Sequence, residues 1–177
     1  MFEDDDDFSS VTPNFEWLAE NPICLVGFGF GAGLSPKAPG TAGTAVGVLL
    51  AALWLWLTAS PAWTLAIIAV LLFPLGVWIC SENEKKLHKH DYGGVVFDEI
   101  AAMLLILGFV PFNFFYWLVA FALFRFFDAV KPYPVSYFDK NIQGGLGTML
   151  DDYVAALLSI IPLVAVKYGI QYFQGAF

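Results

Sequence analysis

The sequence predicts an all-α integral membrane protein, a helical bundle of about five apolar helices plus a short N-terminal interfacial or re-entrant helix. Of the 177 residues, 59% are hydrophobic and only 14% are charged, which lies outside the balance of soluble domains. The apolar residues are also gathered in long runs, and several runs approach the about 20 residues that a helix needs to cross a bilayer. The length allows one domain.

The excess negative charge lies in an N-terminal tail. Residues 1–20 hold seven acidic residues and no basic residue, whereas the rest of the chain holds nine acids and eight bases. We therefore expect residues 1–21 to form an acidic, disordered tail and residues 22–177 to form one membrane-embedded domain. No basic stripe is present to neutralise phosphates along a strand, so nucleic acid is excluded as a partner.

The first apolar segment, Ile23 to Gly33, is too short to cross a bilayer. Its glycines at positions 27, 29, 31 and 33 form two interleaved small-xxx-small pairs, a spacing that permits close helix contact. We expect an interfacial or re-entrant helix here.

A helical hairpin follows between residues 44 and 80. The apolar run is broken only at residues 58–61, where small polar residues and a proline predict a tight turn. The second arm, residues 63–80, can nearly cross a bilayer. The first arm, of about 15 residues, would reach only about 22 Å into a core of about 30 Å. Tryptophans flank the turn, as is common at the level of lipid head groups.

Three further apolar helices complete the prediction. Residues 100–110 and 113–127 form a second hairpin divided at Pro111, with arms short enough to penetrate only partway. The last helix runs from Tyr153 past Val166, and Pro162 is expected to kink it rather than end it.

The two hairpins place residues 1–43, 81–99 and 128–152 on one side of the membrane. Seven of the eight basic residues lie in or beside these segments, so the positive-inside rule predicts that this side is cytoplasmic. They are Lys37, Lys85, Lys86, Lys89, Arg125, Lys131 and Lys140.

Five acids end on this same face. Asp98 and Glu99 are predicted to open one helix, Asp128 to close the next, and Asp151 and Asp152 to open the last. A single acid at a helix start needs no function, because the helix dipole favours it by about 0.3 to 1 kcal/mol. Acids from three sources would repel one another in a low-dielectric site unless a cation lay between them. Oxygen ligands alone favour a hard divalent metal, most plausibly Mg²⁺.

The surroundings of the acids suit an anionic ligand. Arg125 lies three residues before Asp128, Lys131 lies just beyond it, and a glycine-rich run at residues 144–148 leads to Asp151. A metal ion at this place could bridge the carboxylates and the phosphate group of a ligand. Alternatively, Arg125 and Asp128 form only an intrahelical pair. Two other function classes stay open: a small proton- or ion-coupled transporter that uses the same acids, and a membrane scaffold without chemistry.

Four ordered motifs resemble the phosphatidylglycerophosphatase A family. They are GAGLSPKAPGT at 31–41, VFDE at 96–99, FRFFDAVKP at 124–132 and GGLGTMLDD at 144–152. The resemblance covers roughly residues 22–170. It implies a Mg²⁺-dependent phosphatase of the bacterial inner membrane that removes the terminal phosphate of a phospholipid, phosphatidylglycerophosphate, with its active site facing the cytoplasm.

The resemblance also implies roles for single residues. Asp98, Glu99, Asp128, Asp151 and Asp152 match the family's acidic positions and are the predicted catalytic and metal-binding residues. The predicted phosphate-binding residues are Arg125, Lys131, Ser35 and Thr41. Gln143 stands where the family commonly has a histidine, so it is given no catalytic role. The oligomeric state is left open.

Overall fold

The computed structural model describes residues 12–89 and 92–175, and all regular elements in these ranges are helical. A 3₁₀ turn at Gly29–Leu34 separates the second and third helices. The helices are α1 (Phe15–Glu20), α2 (Pro22–Gly27), α3 (Pro39–Thr58), α4 (Trp63–Leu87), α5 (Phe97–Leu107), α6 (Phe114–Val130), α7 (Val135–Asn141) and α8 (Gly144–Gly175).

Three helices of the described residues are long and apolar enough to cross a membrane. They are α3, with mean hydropathy 1.7, α4, with 2.3, and Gly144–Tyr172 of α8, with 1.9. Helices α5 and α6 have 11 and 17 residues and do not reach this length. The predicted count of about five apolar helices is therefore not confirmed, whereas the all-α class is.

Helix α3 is longer than its sequence predicts. It begins at Pro39 rather than near Thr44 and has 20 residues, or about 30 Å, so the expectation of a short first arm is wrong. Proline at the first helical positions is the reason, because its fixed φ suits the first turn and its missing N–H has no partner there anyway. A segment that looks like a proline- and glycine-rich loop is in fact the first turn of a helix that is long and apolar enough to cross a membrane.

Helix α8 also begins earlier than predicted. The glycine-rich run belongs to the helix, and Asp151 and Asp152 lie in its second and third turns, so the prediction that they open it is wrong. The glycines allow close packing. A Cβ on Gly145 would lie 2.3 Å from the Val77 carbonyl oxygen of α4, and one on Gly147 would lie 2.0 Å from the Ile142 carbonyl oxygen.

We expect Gly145→Ala to lower the free energy of unfolding by about 1 to 3 kcal/mol, because the added methyl group meets backbone atoms of α4 that cannot rotate away. The matched control is Gly169→Ala in the same helix, where a Cβ meets nothing within 4 Å and removal of a helical glycine favours the fold. Thermal unfolding in detergent measures both variants. Equal stability of the two would contradict this role for Gly145.

The N-terminal segment departs from prediction in two places. Residues 15–20 of the predicted disordered tail form α1, capped by the Asn14 side chain, and residues 1–11 lie outside the described residues. The glycines at 27–33 do not line one helix, because α2 ends at Gly27 and positive φ angles at Phe30 (58°) and Gly31 (100°) turn the chain. The chain nevertheless packs closely here, although against the segment before α5 rather than against a helix, since a Cβ on Gly33 would lie 1.8 Å from the carbonyl oxygen of Gly94.

Helix α5 is the centre of the bundle. All of its residues except Glu99 are buried, and it packs against α3, α4 and α8.

Large apolar side chains on the outer faces of α3 and α4 are exposed, among them Trp56 (74%) and Leu71 (69%), as lipid-facing side chains of a membrane protein would be. Both cysteines are free and buried, as expected for small hydrophobic residues.

Candidate functional site

Three acidic side chains from two helices meet at one end of the bundle. Asp98 and Glu99 lie in the first turn of α5, and Asp152 lies in the third turn of α8. One carboxylate oxygen from each lies within 4.8 Å of the others, and Asp98 and Asp152 are buried. We call these three residues the acidic cluster. The predicted convergence of acids from separate segments is confirmed for them.

The acidic cluster is electrostatically strained without a cation. Burial raises the pKa of Asp98 well above its usual range, and the neighbouring Glu99 carboxylate adds to this. Burial also raises the pKa of Glu99 to about 8, with the charge of Asp152 as the next cause. Because each carboxylate disfavours ionisation of its neighbours, a positive charge among them would stabilise all three.

The donor atoms of the acidic cluster fit a hard divalent cation. Glu99 Oε2 and Asp152 Oδ2 are buried without a hydrogen-bond partner in the described part of the chain. Oxygens bound to one such cation lie no more than about 4 to 5 Å apart, and the three carboxylate oxygens, all within 4.8 Å of one another, meet this limit. Carboxylate oxygens are ligands that Mg²⁺, Mn²⁺ and Ca²⁺ prefer.

Arg125 borders the acidic cluster at the end of α6. Its Nη1 lies 2.7 Å from Asp128 Oδ2 and 3.9 Å from Glu99 Oε1, and it donates a hydrogen bond of 3.4 Å to Thr44 Oγ1. The Arg125–Asp128 pair is therefore intrahelical, but the arginine also connects α6 to α3 and α5. Its side chain is 22% exposed, so a ligand from outside can reach it.

The start of α3 forms another wall of the site. A Cβ on Gly40 would lie 2.2 Å from Glu99 Oε1 and 3.1 Å from Arg125 Nη1, so only glycine allows this approach. Thr44, one turn later, donates its hydroxyl to the Gly40 carbonyl oxygen at 2.8 Å. Sequence reasoning placed neither residue in the site, because the packing of a glycine against another helix leaves no local signal.

Lys131 forms a second charged group beside the acidic cluster. Its Nζ lies 2.7 Å from Asp151 Oδ2, and it also pairs with Asp139 of α7. Burial lowers the pKa of Lys131, but the hydrogen bonds to the two aspartates outweigh that effect and raise it above its ordinary value. Asp139 was missed by sequence reasoning, since no motif marks it.

The structure thus divides the predicted site residues into groups. Three of the five acids form the acidic cluster, while Asp128 and Asp151 are paired with Arg125 and Lys131. The role of those two acids as metal ligands stays a prediction.

The remaining predicted site residues, Ser35 and Thr41, lie in the N-terminal part of the chain, before α3 and in its first turn. Ser35 donates its hydroxyl to the Lys37 carbonyl oxygen and lines a separate groove with Gly93 and Gly94, while Thr41 directly follows Gly40. Phosphate binding by Ser35 and Thr41 also stays a prediction. Gln143 is exposed just before α8.

Comparison with known proteins gives consistent matches over most of the chain. The model of the phosphatidylglycerophosphatase A family matches residues 25–167. Phosphatidylglycerophosphatase A of Haemophilus influenzae is 40% identical over 149 residues, which are 84% of this chain and 90% of that protein. The protein of the same name from Escherichia coli is 37% identical over 156 residues, covering 88% and 84%.

A third relative carries a different substrate in its name. It is a Bacteroides thetaiotaomicron protein named as a candidate phosphatidylinositol-3-phosphatase, and it is 38% identical over 154 residues, covering 82% of this chain and 94% of that protein. No solved structure shows a significant match.

Proposed function

Because the chain belongs to the phosphatidylglycerophosphatase A family and is a phosphoric monoester hydrolase, we propose that it removes the terminal phosphate of phosphatidylglycerophosphate. The products are phosphatidylglycerol and inorganic phosphate. The observation that carries the proposal is the acidic cluster with Arg125 beside it, built from α5, α6 and α8, of which α8 is long and apolar enough to cross a membrane.

Asp98, Glu99 and Asp152 are the residues that would hold a divalent cation, which we propose is Mg²⁺. When bound, the cation would neutralise negative charge on the phosphoryl group and on the carboxylates themselves. The two buried, unpartnered carboxylate oxygens of the acidic cluster support this assignment.

Arg125 binds the phosphoryl oxygens that carry negative charge in the transition state. A guanidinium can donate two parallel hydrogen bonds to a phosphate, and Asp128 holds this one in place through the 2.7 Å contact. Glycine at position 40 leaves room beside the guanidinium, since any Cβ there would occupy it.

Asp128 orients the attacking water molecule and accepts its proton as the water oxygen bonds to phosphorus. The bond from phosphorus to the glycerol oxygen breaks, and the proton then passes to the departing alkoxide. Its carboxylate is close enough to act electrostatically on both Glu99 and Asp152, so it borders the acidic cluster without belonging to it. Lys131 acts less directly, because it holds the Asp151 carboxylate one residue before Asp152 in α8.

The location of the site suits a lipid substrate. The acidic cluster lies at the first turn of α5, in the third turn of α8 and near the end of α6, so a head group can reach it while the acyl chains stay among apolar helices. Most of the basic residues lie in segments at this end, so we propose that the site faces the cytoplasm from the bacterial inner membrane. Among the described residues all buried acids lie at this end, so a transport path of acids across the bundle has no support.

The proposal is tested by phosphate release from purified protein in detergent micelles containing Mg²⁺. The substrates are phosphatidylglycerophosphate, phosphatidic acid and phosphatidylinositol 3-phosphate at equal mole fraction. We expect kcat/KM to be highest for phosphatidylglycerophosphate by about tenfold or more, a difference of at least 1.4 kcal/mol in transition-state binding. No phosphate release, or a preference for either other lipid, would overturn the assignment.

We expect Lys131→Met to lower kcat by about tenfold to a hundredfold, the range typical of residues that hold catalytic groups in place. The reason is that Asp151 and Asp139 both lose the lysine ammonium group with which they pair. The first turns of α8 are then expected to shift. The matched control is Lys140→Met on the exposed face of α7, which should leave phosphate release unchanged. Equal rates in the two variants would show that the Lys131 pairs are dispensable.

A further inference from the structure

An apolar groove of about 420 Å³ lies between α3 and α6. Val48 and Ala52 line it from α3, and Trp117, Leu118 and Phe121 line it from α6. The two helices make few direct contacts with each other, which leaves the groove open. The roles proposed above do not use this groove.

The walls of the groove lead toward the candidate site along both helices. On α3, Gly40, Thr44, Val48 and Ala52 follow one another at four-residue spacing and so share one helix face. The first two contact Glu99 or Arg125, and the last two line the groove. On α6, Phe121 lies one turn before Arg125, so the second wall also leads from the guanidinium into the groove.

Trp117, which lines the groove, has one polar atom without a partner. Trp117 is 7% exposed, and its indole Nε1 is buried without a hydrogen-bond acceptor among the described residues. An unsatisfied N–H in apolar surroundings is costly, and a tryptophan that is buried usually finds an acceptor. A bound molecule with a carbonyl oxygen at this depth would supply that acceptor.

The depth of Trp117 matches the size of the lipid head group. Trp117 lies eight residues before Arg125 in α6, or about 12 Å along the axis. In phosphatidylglycerophosphate, about ten single bonds of roughly 1.5 Å connect the terminal phosphorus to an ester carbonyl. An extended head group can therefore reach from the acidic cluster to Trp117.

We propose that the groove between α3 and α6 binds the glycerol ester and the adjoining acyl chain of the substrate, with Trp117 Nε1 donating a hydrogen bond to an ester carbonyl oxygen. This inference rests on the proposed function, because it takes a diacyl phospholipid with a terminal phosphate as the substrate. It assigns specificity for a lipid, rather than for a soluble phosphomonoester, to the side chains of α3 and α6.

Filling the groove tests the proposal. Ala52→Trp should lower kcat/KM for long-chain phosphatidylglycerophosphate about tenfold or more, and should leave hydrolysis of its deacylated, water-soluble head group unchanged. The matched control, Leu53→Trp, changes the next residue of α3, which is 49% exposed, and should affect neither substrate. An equal loss on both substrates, or no loss on either, would overturn the groove assignment and leave only bulk bilayer lipid as its occupant.

A second variant keeps the proposal testable if Ala52→Trp fails to fold. Trp117→Phe retains an aromatic ring but removes the N–H donor, so kcat/KM should fall about threefold to tenfold on ester-linked lipid, the value of one hydrogen bond. It should not change on the ether-linked analogue, which lacks the carbonyl oxygen. Equal effects on the two lipids would overturn the hydrogen bond. Absence of turnover by the wild-type protein on every lipid would instead refute the proposed function.

Discussion

The Asp152→Asn variant is expected to release phosphate from phosphatidylglycerophosphate about a hundredfold to a thousandfold more slowly than the wild type. Asparagine has the same shape as aspartate but lacks the negative charge that a cation in the acidic cluster requires. The fold should survive, because the change removes repulsion from a buried group that lies next to two other acids. Asp98→Asn is expected to behave in the same way, since its carboxylate belongs to the same cluster.

Phosphate release and thermal unfolding in detergent would be measured for both variants. The matched control is Glu82→Gln, which removes an acid from the surface of α4, where it pairs with Lys85 at 2.6 Å. Loss of that exposed pair should change neither activity nor stability noticeably. Turnover near the wild-type rate in both Asp98→Asn and Asp152→Asn would refute the assignment of the acidic cluster as the reactive site.

Removal of divalent cations is the second change with a large expected effect. We expect EDTA to abolish phosphate release and added Mg²⁺ to restore it, because three carboxylates, two of them buried, would otherwise repel one another. Mg²⁺ should also raise the unfolding temperature of the wild-type protein. At a concentration 100 times the dissociation constant, binding to the folded state stabilises it by about 2.7 kcal/mol.

The stability measurement makes this test independent of the reaction. Asp152→Asn should show a much smaller Mg²⁺-dependent rise in unfolding temperature, whereas Glu82→Gln should show the full rise. Full activity after exhaustive chelation would exclude a required metal. An equal thermal response in the two variants would place the cation somewhere other than among Asp98, Glu99 and Asp152.

Patterns within single segments account for the parts of the fold and site that were predicted correctly. The long apolar runs identified α3, α4 and α8, because a helix that crosses a membrane must be apolar along its length. Asp98 and Glu99 were placed correctly in the first turn of α5, since acids are favoured at that helix position. The agreement of four separate motifs was needed to predict the reaction.

The predicted helix starts were wrong where glycine and proline occur, because both residues are common in loops and also in the first turn of a helix. The prediction began α3 near Thr44 and α8 at Asp151, yet Pro39, Gly40 and the glycines of residues 144–147 form the first turns of these helices. In both places the glycines allow a neighbouring helix or backbone segment to approach closely. Such an approach depends on atoms far away in the chain, which a local pattern does not contain.

The sequence by itself determined the all-α class, the long apolar segments and the set of acids and bases from which the site is built. Only the tertiary structure decided how those charges divide: Asp98, Glu99 and Asp152 together, Asp128 with Arg125, and Asp151 with Lys131. The physical reason is that the energy of a charge depends on burial and on distances of a few ångströms to other charges. Those distances are set by the packing of α3, α5, α6 and α8 against one another.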